Sequence, residues 1–105
     1  MEEQKQQGGN LFEPLKLPCG VTLKNRIAKS AMSDPLGDGT GHPTPEQVRL
    51  YQRWAGGGVA VSIIGEVQGN AGYAEKPGNL VLNEASDLGR FRKLAQQGSE
   101  NDTNL

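Results

Sequence analysis

The chain has 105 residues, and its 11 basic and 12 acidic side chains leave a formal net charge of -1. That balance gives no basic surplus for nucleic acid. No apolar run approaches the roughly 18 residues of a membrane span, and the polar, acidic N-terminus reads as neither a signal nor a transit peptide, so none is expected. Its 15 glycines are about twice the usual share, and Leu, Ile, Val and Phe make up only about a fifth of the residues. This composition predicts a thin core. The single cysteine, Cys19, forms neither an internal disulfide nor a zinc site by itself. His42 has no metal-ligating partner at a recognisable spacing. The expected setting is reducing and cytoplasmic, with no metal.

Residues 1–9 read as a disordered tail. Leu11 to Leu17 alternates apolar and polar around Pro14, which suits a short edge strand. Pro18-Cys19-Gly20 signals a turn, and Val21-Thr22-Leu23 is the return strand of a small hairpin. Ile27 to Met32 is a further strand candidate, followed by a breaker-rich loop from Ser33 to Pro43.

A helix starts at Thr44, a good N-cap, with Pro45 at the first helical position and Gln47 completing a capping-box pattern. Val48, Tyr51 and Ala55 form its apolar stripe, flanked by Leu50 and Trp54. Gly56-Gly57-Gly58 ends it, since glycine takes the left-handed cap freely. Val59 to Gly65 is nearly continuous in apolar residues, the pattern of a parallel strand buried on both faces. A second loop runs from Glu66 to about Glu84. A second helix is expected from an N-cap at Ser86, with Leu88, Phe91, Leu94 and Ala95 at helical spacing and Gly98 as its cap. The tail from Ser99 to Leu105 is polar.

Alternation of strand and helix around a buried run implies βαβ units and a parallel sheet. Both long loops lie between a strand and the next helix, the edge where such folds bind ligands. Gly37-Asp38-Gly39-Thr40-Gly41 invites a dinucleotide-binding reading, with Glu66 as the ribose acid. The fingerprint fails mechanically: the last glycine comes one residue early, and Pro43 and Pro45 remove amide donors that a pyrophosphate needs. Glu66 is either a base or a solvated carboxylate. Asp34, Asp38, His42 and Cys19 read as ordinary loop or turn residues, and Tyr51 and Trp54 as packing residues.

Several segments, in order, resemble the Old Yellow Enzyme family of NADH:flavin oxidoreductases. They are Leu11-Phe12-Glu13-Pro14-Leu15, Leu23-Lys24-Asn25-Arg26-Ile27, Ser30-Ala31-Met32-Ser33, Pro45 to Val48 with Tyr51, Ala55 to Val59, Ile63 to Gln68, and Lys76-Pro77-Gly78-Asn79. The similarity runs over about residues 10–98. It implies an α/β fold, the N-terminal part of a (β/α)8 barrel, with a bottom hairpin and about two βα units. Residues 10–105 would be an incomplete barrel.

The resemblance also implies FMN at the mouth formed by the C-terminal ends of the strands. Ala31, Met32 and Ser33 would lie under the flavin, and the Ser33 hydroxyl would meet its polar edge. Val67 would lie on the pyrimidine side, with Glu66 and Gln68 lining the same mouth. NADH or NADPH would be the reductant, and a small-molecule acceptor such as an activated alkene the substrate. The family's substrate-anchoring His pair, its proton-donating Tyr and its late phosphate loops have no counterpart here. A full barrel needs about 250 residues. The expectation is therefore an N-terminal portion with the remainder of the barrel missing, inactive alone, and unfolded, molten or aggregating in isolation. Two other readings stand beside it: a non-catalytic remnant or interaction module, and a small nucleotide-binding α/β unit.

Overall fold

The structure is a computed structural model that describes residues 10–70, 72 and 78–105. The expected tail over residues 1–9 and the Lys76-Pro77 part of the last resembling segment lie outside those residues. The chain opens with a hairpin, β1 (Leu15–Lys16) antiparallel to β2 (Thr22–Leu23), with Leu15 opposite Leu23. Its turn is closed by the Gly20 amide donating to the Leu17 carbonyl at 2.9 Å. Pro18 thus sits where a turn favours its fixed φ. Leu11 to Glu13 form a turn rather than the start of the expected strand, because the Asn10 side chain accepts from the Phe12 amide at 2.8 Å.

β3 (Ala28–Lys29) then pairs in parallel with β4 (Val61–Ser62), and α1 (Pro45–Gly56) connects them. This is the expected βαβ unit. Thr44 caps α1 as its pattern predicts, its Oγ1 accepting from the Gln47 amide at 3.2 Å. The reciprocal half of the box is absent, because the Gln47 side chain is buried and turns to Asp34 instead. The left-handed residue past the helix is Gly58, at φ 106, while Gly57 stays right-handed. Asn25 fastens the unit's lower corner: its Nδ2 donates to the Gly58 carbonyl at 2.7 Å, and its Oδ1 accepts from the Ile27 amide at 3.0 Å.

The second long loop holds a pair that its sequence does not announce. β5 (Val67–Gln68) lies parallel to β6 (Leu80–Val81). Leu80 enters the core with Val48, Tyr51 and Leu94, and Trp54, Ile64 and Phe91 pack around them. Gly41, at φ 96, accepts through its carbonyl from the Val81 amide at 2.8 Å. A Cβ there would meet Val81 Cβ at 2.7 Å, so only glycine lets the first loop lie against β6.

α2 (Leu88–Gly98) packs on α1. Its N-cap is Asp87, whose carboxylate accepts from the Gly89 amide at 3.0 Å. The expected cap, Ser86, instead donates to the Val81 carbonyl at 3.0 Å and closes the turn before the helix. Gly98 is the last helical residue rather than a left-handed cap. It is buried, and a Cβ there would sit 3.0 Å from the Leu105 side chain. Beyond α2, Asn104 bridges in parallel to Val61, on the far side of β4 from β3. The Ser62 amide donates to the Asn104 carbonyl, and the Asn104 amide to the Ala60 carbonyl, both at 2.9 Å.

Register assigns the two faces of the β3–β4 pair. Lys29 and Ser62 share the buried face with Ala60, under α1; Ala28 and Val61 share the other. Ile63, on that second face, is 47% exposed. The run from Val59 to Gly65 is thus buried on one face, not two.

Candidate functional site

The site builds from where β3 and β4 end. The ladder's last pair is Lys29 with Ser62, and the Ile63 amide donates to the Lys29 carbonyl at 3.0 Å. Past that point the two chains stay in contact through Gly65. A Cβ on Gly65 would lie 2.4 Å from the Met32 carbonyl oxygen, so the backbones meet there at a distance only glycine permits. Glu66 then takes φ 57, a turn that sends the chain into β5. Ala31, Met32 and Ser33 are exposed along one rim of this mouth, and Val67 is exposed beyond its other rim.

Ala31, Met32 and Ser33 therefore lie past the C-terminal end of β3, beside the chain that leaves β4, and Val67 opens β5. Their chemistry fits an isoalloxazine ring, which needs apolar surface for its plane and hydrogen-bonding groups for its polar edge. Met32, Ile63 and Val67 are exposed large apolar side chains at these strand ends. Ser33 carries a hydroxyl at this exposed rim.

Under the mouth lies a buried polar cluster that the sequence reading did not single out. Lys29 is 6% exposed. Its Nζ donates to the Ser30 and Ile63 carbonyls, each at 2.7 Å, and stands 4.9 Å from the centre of the Tyr51 ring. Burial lowers its pKa from the ordinary lysine value, while the negative charge of Asp34 acts in the opposite sense. Asp34 receives a hydrogen bond from Tyr51 Oη at 3.0 Å and one from Gln47 Nε2 at 2.8 Å. Tyr51 is fully buried, and its phenol is pushed up to about 12, first by burial and then by the charge of Asp34. The available signal was a lysine inside an apolar strand candidate, with an aspartate five residues on.

The glycine loop folds in on itself. Asp38 accepts from the Thr40 amide and hydroxyl at 2.8 and 2.7 Å and from the His42 amide at 3.2 Å, and it pairs with Arg90 at 2.9 Å. The Thr40 hydrogen bond leads in holding its carboxyl well below the usual carboxylate range, with the His42 amide and Arg90 adding to it. His42 Nε2 accepts from the Asp87 amide at 2.9 Å, which fastens the loop to the start of α2. These amides point at the loop's own carboxylate, so the loop is a tie between elements rather than a pyrophosphate cradle. Cys19 is exposed in the hairpin turn. Among the described residues no group of three or more His, Cys, Asp or Glu could hold a metal ion, and no helix is long and apolar enough to cross a membrane.

The chain is 37% identical over 75 residues to an NADH-dependent flavin oxidoreductase of Hypocrea jecorina, a match covering 70% of this chain and 19% of that protein. It is 34% identical over 61 residues to a protein of the same name from Neonectria sp., covering 58% of this chain and 8% of that one. The matches thus span a fifth or less of these relatives. Among solved structures, a 2-naphthoyl-CoA reductase bound to 2-naphthoyl-CoA superposes with a TM-score of 0.82 at 23% identity, over 90% of this chain and 14% of that one. That likeness shows the fold, an α/β arrangement found within a larger chain. No protein-family model matches. Over part of its length, then, the chain shares its sequence with NADH:flavin oxidoreductases, the resemblance that its ordered motifs imply.

Proposed function

We propose that this chain, a relative of NADH-dependent flavin oxidoreductases over part of its length, forms the first two strand ends of the flavin-bearing mouth of an Old Yellow Enzyme type (β/α)8 barrel, with FMN as the flavin. The observation that carries this reading is the juncture of Met32 and Gly65, which holds the exposed segment Ala31–Ser33 beside the end of β4. Met32 and Val67 offer apolar surface to the ring, and Ser33 offers a hydroxyl to its polar edge. A flavin held there would take hydride from NADH or NADPH and pass it to a small-molecule acceptor in the cytoplasm. The bare face of the β3–β4 pair, with Val61 and Ile63, would look into the barrel interior, and Asn104 would begin the third strand. Alone, this chain offers one rim of the site and retains negligible flavin.

A chimera tests the reading. This chain replaces the matching segment of the Hypocrea jecorina enzyme, and flavin content and NADH oxidation are measured on the purified product. Stoichiometric FMN with NADH-dependent turnover supports it. A folded chimera that retains no flavin rejects it.

A further inference from the structure

The buried cluster under the mouth has no part in the chemistry just described, yet it joins β3, the end of β4, α1 and the start of the first long loop. Lys29 lies on β3, the Ile63 carbonyl at the end of β4, Gln47 and Tyr51 on α1, and Asp34 at the far end of the exposed segment. Segment 31–33 is thus pinned on both sides. On one, the Lys29 ammonium bridges the Ser30 and Ile63 carbonyls just past the last rung of the ladder. On the other, the Asp34 carboxylate is held twice by α1. Tyr51 links the two pins, its ring facing Lys29 and its hydroxyl bonded to Asp34.

Stability alone does not account for such a cluster. Apolar residues of similar volume often pack at least as favourably as a buried charge such as that of Lys29, because desolvation offsets much of what its hydrogen bonds return. What directional charged hydrogen bonds add is a single placement of the groups they join. We propose that Lys29 and Asp34 are positioning residues: they set where Ala31, Met32 and Ser33 stand at the strand ends, and so where a flavin would rest. The last clause depends on the flavin reading; the placement of the segment does not.

Amide hydrogen exchange on the full 105-residue chain, without flavin, separates the two. Lys29→Met should speed exchange in residues 31–33 by about tenfold, with α1 amides changing less than about twofold, and Lys29→Arg should restore most of the protection. Asp34→Asn should act on the same residues more weakly. Where Lys29→Met abolishes the helical circular dichroism, Tyr51→Phe carries the test, with a selective rise of about threefold expected in the same segment. Unchanged exchange in 31–33, a uniform rise through α1, or wild-type exchange already fast over residues 29–65 overturns the proposal. A flavin-free wild-type chimera alongside a selective exchange effect would reject the flavin reading and leave the positioning role standing.

Discussion

The two faces of the β3–β4 pair have opposite fates. On one, Lys29, Ala60 and Ser62 are sealed beneath α1, and even the charged residue finds its partners within the chain. On the other, Ala28 and Ile63 stand open, and Val61 is only partly covered. The sequence alternates little between them, since Val59 to Ile64 is apolar at nearly every position. The difference teaches that an apolar run does not by itself secure burial on both sides: among the described residues α1 covers one face, and the other stays open. Burial is worth about 25 cal/mol per Å² of apolar surface, so the open face is a standing drive toward association.

The comparison breaks most severely on the covered side. Leu80→Ala, at 1% exposure in the core beneath α1, should cost about 2–5 kcal/mol in urea unfolding of the chimera. Gly65→Ala should cost about 1–3 kcal/mol, because its Cβ cannot share space with the Met32 carbonyl. It should also displace residues 31–33 in amide exchange. The open face should behave differently. Ile63→Lys should change stability by no more than about 0.5 kcal/mol and shift sedimentation toward monomer. A large loss of stability there would mean that the face is covered within this chain.

Titration sharpens the contrast between the buried cluster and the glycine loop. Tyr51 has its pKa raised from 10.0 to about 12 in the fold, so its contribution is complete below pH 10 and is lost as pH rises from there toward 12. In a Tyr73→Phe background, absorbance near 295 nm should show no phenolate until well past pH 10. Asp38 is shifted the other way. Its contribution is present above the ordinary carboxylate value of 3.8 and is lost as pH falls below it, toward the depressed folded value. Acidification should therefore release the loop at Thr40 and His42, seen as faster amide exchange there, and Asp38→Asn should remove the acid dependence. This is the smallest effect, since the group sits near solvent.

Much of the covered side was legible in the sequence because its signals are local. A cap at Thr44, a proline at the first position and an apolar stripe identify α1 without reference to anything distant. The hairpin was legible for the same reason. β5 and β6 were not: each has two ladder residues, set among glycines and asparagines, and they pair across a long loop. Ser86 and Asp87 are both competent caps, and the Ser86 hydroxyl is taken by the Asn83 amide and the Val81 carbonyl, which leaves the cap to Asp87. The rim residues Ala31, Met32, Ser33 and Val67 came from resemblance to a family; the first three follow β3 and the last opens β5. The Lys29–Asp34–Tyr51 cluster was not legible because Tyr51 comes 17 residues after Asp34 and each member reads as ordinary alone. The abundance of glycine, first a sign of a weak core, also reflects close backbone approaches such as Gly65 to Met32 and Gly41 to Val81.

The central claim is that the open rim at Met32 faces a flavin. Methyl-labelled methionine in the chimera tests it most directly, with the Met32 resonance assigned by Met32→Leu. On addition of FMN to flavin-stripped protein, the ring current should move the Met32 methyl in step with binding. FMN bound at full stoichiometry with the Met32 methyl unmoved would contradict the account.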